Sequence, residues 1–118
     1  MNWHVFSTFD KEQAEVIQDK YQGRNNIVNV RKLPLISVNT LGGYIGTNQV
    51  DLLSLDAEGL DLEILQQWDF EQHPPRVVCV EIYDPKEDRS NDQIHELLIR
   101  NGYRLAASNP INGIYTRL

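Results

Sequence analysis

The chain has 118 residues, 11 basic against 17 acidic, with a formal charge of −6. That length allows one domain with a modest core, and the acidic balance argues against nucleic acid or an anionic membrane surface as the main partner. The single cysteine, Cys79, sits in the apolar run Val77 to Ile82, where it reads as a small buried hydrophobe and can form no internal disulfide. No apolar stretch approaches a membrane span and the N-terminal MNWHVFSTFDKEQ lacks a signal-peptide layout, so a reducing, cytoplasmic setting is expected.

In chain order, Trp3 to Phe6 predicts a short strand, and Ser7 or Thr8 a cap for a helix from about Phe9 to Tyr21. Ala14, Ile17 and Tyr21 supply its apolar stripe, with Val16 beside it, and Gly23 is a natural stop. Asn25 and Asn26 form a turn. Ile27, Val28 and Val30 follow as a short strand that Pro34 ends or confines to a sheet edge. Asn39 or Thr40 opens a brief helical turn around Leu41, weakened by Gly42, Gly43 and Gly46. Those glycines have neither the preceding strand nor the lysine of a phosphate-binding loop, and the segment reads as an ordinary connector.

The stretch that organises the chain is Val50 to Gly59, VDLLSLDAEG. Its apolar residues do not alternate with polar ones, which predicts a strand covered on both faces, as in a parallel α/β sheet. Leu60, Leu62, Ile64, Leu65 and Trp68 continue at mostly helical spacing, so Gly59 lies in or just after a strand-to-helix turn. His73, Pro74 and Pro75 then break the chain before a second apolar strand, Arg76 to Ile82, which delivers Glu81 near its end. Tyr83 to Asp92 has the composition of an exposed loop. Ser90 or Asn91 caps a helix with Ile94, Leu97 and Leu98 facing the core, closed by Asn101 and Gly102. Tyr103 to Ala107 and Gly113 to Leu118 are two more strands across the turn SNPIN, antiparallel if they are neighbours. The core order is strand, helix, strand, helix, strand, strand, an α/β pattern without repeats.

Three stretches, VDLLSLDAEGLDLEILQQWDF, PPRVVCVEI and the helix ending in NGY, together with the closing NGIYTRL, resemble FkbM-type methyltransferases, which use S-adenosylmethionine. STFDKEQAE and LISVNTL resemble the segment before the organising strand in that family, so the likeness spans nearly the whole chain. It implies the C-terminal half of a Rossmann-like class I methyltransferase sheet, mainly parallel with a closing antiparallel hairpin. Residues 1–118 are then one truncated domain, with 1–49 a pre-core helix and short strands and 50–118 the core. Val50 to Leu55 becomes the fourth strand of a seven-stranded sheet and Val77 to Ile82 the fifth. No glycine-rich turn after a strand occurs upstream of Val50, so the chain alone is expected to bind S-adenosylmethionine weakly or not at all, and no cofactor-binding residue is assigned.

Asp56 and Glu58 stand two apart at a strand's carboxyl end, where ligands bind in such sheets. One reading makes them catalytic, with one acting as general base toward a hydroxyl acceptor; the other makes one of them a cap for the following helix. Glu81, Tyr83 and Asp84 are candidate contacts to the acceptor, Glu81 having the alternative of hydrogen bonding at a strand terminus. Asp56, Glu58, Asp61 and Glu81 offer oxygen ligands, yet their spacing matches no established metal loop and no metal site is expected. His4, His73 and His95 are scattered, Ser54 lacks a nucleophile elbow, and Trp68 and Phe70 are expected to pack under the sheet. Two functions remain open: the acceptor side of an O-methyltransferase completed by a missing half, or a non-catalytic module or degenerate fragment that self-associates. Either way Val50 to Leu55 would be an apolar sheet edge. It is expected to be covered by a second copy, by Trp3 to Phe6 or Ile27 to Val30, or by a partner chain.

Overall fold

The computed structural model describes residues 11–20, 29–57, 59–84 and 88–118, and within 11–20 the side chains of Glu12, Glu15, Val16, Asp19 and Lys20. The chain divides into two compact units, 1–35 and 36–118. The first contains α1 (Lys11–Lys20), with Glu12 in its first turn and Lys20 in its last, each the sign that the helix dipole favours there. Residues 29–35 form no regular element and Val30 is 83% exposed, so no strand exists at that position. The expected strand at Trp3 to Phe6, the cap at Ser7 or Thr8, the stripe of Ala14, Ile17 and Tyr21, the stop at Gly23, the turn at Asn25 and Asn26, and Ile27 and Val28 lie outside the described residues or side chains.

The second unit opens with α2 (Val38–Ile45), a fuller helix than the brief turn expected around Leu41. It starts earlier because Ser37, not Asn39 or Thr40, is the cap: its Oγ accepts the Thr40 N–H at 3.0 Å. Gly46, at φ +59, ends it.

Six strands and two more helices follow: β1 (Leu52–Leu55), α3 (Asp61–Gln67), β2 (Val77–Glu81), β3 (Tyr83–Asp84), β4 (Arg89–Ser90), α4 (Asp92–Arg100), β5 (Tyr103–Ser108) and β6 (Asn112–Arg117). Four of them make one sheet in the order β1-β2-β6-β5, and β3 and β4 make a separate two-stranded ribbon inside the segment expected to be loop. β1 and β2 are parallel, whereas β2 with β6 and β6 with β5 are antiparallel. By direction, β1, β2 and β5 run the same way and β6 alone runs against them, so the sheet is mostly parallel and closes with the expected antiparallel hairpin. The reason is topological: α4 carries the chain over to β5, which runs parallel to β2 one place away, and the tight hairpin returns β6 into the gap. A bulge between Leu105 and Ala107 adjusts the β5–β6 register.

One face of the sheet is packed. Val78, Val80, Tyr103 and Tyr115 meet Leu65 of α3 and Ile94, Leu97 and Leu98 of α4, with Ile82 at the end of the strand and Leu53, Leu55, Leu62 and Phe70 at the margin. The Trp68 to Pro75 connection is tied beneath this core. The Tyr103 hydroxyl donates to the Pro75 carbonyl at 2.6 Å, Trp68 Nε1–H donates to the His73 carbonyl at 2.8 Å, and the Phe70 and Tyr103 rings meet edge to face at 5.7 Å. On the opposite face no described strand residue is buried, and Leu52 is 59% exposed. The unbroken apolar run of β1 thus reads as two-sided in sequence, while in the described residues its burial alternates. No described helix is long and apolar enough to cross a membrane.

One-sided packing fixes where truncation hurts. Leu98→Ala, deleting a fully buried side chain, is expected to cost about 2–5 kcal/mol, and Leu52→Ala less than about 1 kcal/mol, both measured by urea unfolding. Burial also raises the phenol pKa values of Tyr103 and Tyr115 above 10.0, Arg117 partly opposing the shift at Tyr103. A raised value means the folded chain holds the proton more tightly, so this stability is complete below the ordinary phenol range and is lost as pH rises through it. Thermal midpoints should fall above about pH 10, and less steeply in Tyr115→Phe.

Candidate functional site at the carboxyl ends of the parallel strands

β1 and β2 end side by side, with Leu55 opposite Val80, so the next residues, Asp56 and Glu81, come level at one edge of the sheet. Asp56 is exposed and Glu81 half-buried, the latter opposite Asn112 of β6. Glu58 lies outside the described residues. Gly59 has φ +99, a left-handed conformation that a side chain would strain, which explains why the D-A-E-G turn needs a glycine there.

The turn into α3 is held by a residue that the sequence did not single out for it. Leu60 occupies the cap position without a side-chain bond. Asp61, first in the helix and 5% exposed, instead turns back so that its Oδ1 accepts the Ala57 N–H at 3.3 Å. Asp56 is therefore not the helix cap that one sequence reading allowed, and Asp61 serves the turn. The cue was present in the sequence, since an acid in a first helical turn is favoured by the dipole; only the fold shows its oxygen turned back on Ala57.

Tyr83 and Asp84 stand at the same end of the sheet but in the β3–β4 ribbon. The chain leaves β2 at Ile82, where the Ile82 and Tyr83 N–H groups both donate to the Ile111 carbonyl and the Asn91 N–H donates to the Ile82 carbonyl. The Tyr83 hydroxyl donates to Asp88 Oδ1, and that hydrogen bond, ahead of desolvation and the nearby carboxylates, raises the phenol pKa. Of the two expected caps, Ser90 and Asn91, it is Asn91 that caps α4, its Oδ1 accepting from Gln93 and Ile94 N–H. Pro85 to Glu87, which follow β3 in sequence, lie outside the described residues.

Chemically, this edge offers an exposed carboxylate at Asp56 beside Glu81, a pair able to accept protons or hydrogen bonds from a hydroxyl-bearing molecule. Among the described residues no group of three or more His, Cys, Asp or Glu is placed to hold a metal ion. A cleft of about 390 Å³ lies elsewhere, lined by residues of α2 and by Trp68, Asp69, Gln72 and His73. His73 leads into the amino end of β2, so the cleft is at the other end of the strands from Asp56. Nothing in the sequence marks this cleft, because Gly42, Gly43 and Gly46 read as a connector. Gly42 lets the helix approach His73, where a Cβ would stand 3.3 Å from Nε2.

A family model described as Methyltransferase FkbM domain matches residues 3–105. The match takes in Asp56, Glu58, Glu81, Tyr83 and Asp84 and ends within β5, leaving the closing NGIYTRL strand outside it. No curated protein and no solved structure matches the chain.

Two substitutions check this local reading. Asp61→Ala should cost about 1–2 kcal/mol in chemical unfolding by freeing the Ala57 N–H. Asp88→Asn should bring the Tyr83 phenol back toward its ordinary value, seen as earlier phenolate absorbance on raising pH.

Proposed function

The chain belongs to the FkbM methyltransferase family, and from that premise we propose that it is methyltransferase-like and supplies the acceptor side of an O-methyl transfer site. The observation that carries the reading is the pairing of β1 with β2, which sets Asp56 level with Glu81 at the carboxyl edge where ligands bind in α/β sheets. Asp56, with Glu58 two residues on, takes the proton of the acceptor hydroxyl as general base. Glu81, Tyr83 and Asp84 hold and orient that acceptor, a small molecule such as a sugar or natural-product alcohol.

The methyl donor of the family, S-adenosylmethionine, would need backbone N–H groups of a glycine turn and a carboxylate for its ribose. The described residues do not fit that need. Gly42 and Gly43 lie inside α2, and the Gly46 N–H is already donated to the Gly42 carbonyl. The donor side must then come from outside these residues, and no transfer step is assigned to this chain alone. The same misfit favours the second reading, a non-catalytic module that works by association.

A calorimetric titration of the chain with S-adenosylmethionine, and with S-adenosylhomocysteine as second ligand, tests the half-site. No saturable binding tighter than about 100 μM, roughly −5.5 kcal/mol, is expected; tighter binding overturns it. On the acceptor side, a hexose titration followed by amide NMR should shift Asp56 and Glu81, and Asp56→Asn should abolish those shifts. A spectrum in which neither amide moves argues for the non-catalytic module.

A further inference from the structure

The cleft beside α2 has two walls, both within the unit 36–118. One is α2 itself, with Val38 and Ile45 and the bare backbone of Gly43. The other is the loop after α3. There Asp69 Oδ1 accepts the Glu71 and Gln72 N–H groups at 3.1 and 2.9 Å, and the Asp69 carbonyl accepts the His73 N–H at 2.9 Å. The Trp68 indole is tied by its Nε1–H to the His73 carbonyl. Carboxylate and ring are thus held by the chain's own backbone, which lowers the ordering cost of binding.

The charge around the cleft is one-sided. Asp69 supplies a carboxylate whose second oxygen has no partner among the described residues. No described lysine or arginine lines the cleft, and the last turn of α2, where the helix dipole favours a cation, has no basic residue. Asn39 and Gln72 each bring an amide oxygen able to accept. His73 Nδ1 is buried without a hydrogen-bond partner among the described residues, a state in which polar atoms are seldom left. An anion would meet the Asp69 carboxylate with no cation to offset it. A wholly apolar molecule would cover these oxygens without pairing them.

We propose that this cleft binds a small primary ammonium compound. The ammonium group donates to the second Asp69 oxygen and to the amide oxygens of Asn39 and Gln72, while a short apolar body lies against Val38, Ile45 and the Trp68 indole. A volume of about 390 Å³ is of the size that small-molecule clefts have. The formal charge of −6 favours the approach of a cation. Because the cleft is at the other end of the strands from Asp56, this site does not depend on the acceptor reading.

The test is a titration of the full chain at pH 8 followed by amide and indole NMR, with n-butylammonium, n-butanol and butyrate as probes of similar shape and different charge. Butylammonium should shift Glu71, Gln72 and the Trp68 Nε1–H saturably, with a dissociation constant of about 1–10 mM. Butanol should bind about fivefold more weakly, and butyrate should not bind. Asp69→Asn keeps an oxygen for the two N–H groups of the turn and removes the charge, so the preference for butylammonium over butanol should vanish. Circular dichroism checks that this variant folds; if it does not, the three-probe comparison on the native chain decides by itself. Four results overturn the proposal: butanol binding as tightly as butylammonium, a folded Asp69→Asn that keeps the preference, butylammonium shifts confined to Asp56 and Glu81, or no saturable shift at all.

Discussion

The second unit depends on β2 lying between two ladders while showing only one face to the helices. Val78 and Val80 are fully buried under α3 and α4, and their backbone groups are paired on one side with β1 and on the other with β6. Removing that strand would separate β1 from the rest of the sheet, because β1 pairs with no other strand among those described. The hydrophobic effect acts mainly through these side chains, while the two ladders satisfy the backbone that their burial takes out of water.

This arrangement ties the candidate chemistry to the fold. Parallel pairing of β1 with β2 brings two carboxylates from distant parts of the sequence to one edge. The residues beyond them are steered by backbone bonds to Ile111, which bend the chain out of the sheet and into the β3–β4 ribbon. Asp56 and Glu81 therefore share a strand edge. Tyr83 and Asp84 reach the same region on a separate piece of structure, with the Tyr83 hydroxyl already engaged by Asp88.

A sheet covered on one side has a second consequence. The packed face has the larger side chains, Tyr103 and Tyr115 among them, each fixed by its hydroxyl: Tyr103 donates to Pro75, and Tyr115 lies 2.9 Å from His95 Nδ1. The other face is built of smaller and partly exposed groups, and it adjoins the unpaired edge of β1.

Local sequence was enough to show the order of the core elements, the break at His73 to Pro75, a cap at Ser90 or Asn91 and the glycine-bearing turn after β1, because each rests on short-range rules of capping, turn geometry and periodicity. The FkbM likeness was legible for the same reason: it resides in contiguous stretches around that turn and the two apolar strands, and the family match over residues 3–105 agrees with it. What the sequence could not decide is anything set by neighbours far along the chain. An apolar run such as LLSL has the same composition whether one face or two are covered. The place of β6 between β2 and β5 follows from how α4 crosses the sheet. Asp61 became the residue that holds the turn only once Ala57 was folded back within reach of its carboxylate. Side-chain identity sets what each residue is able to do; burial and partner, which the tertiary structure alone supplies, decide which of those capacities is used.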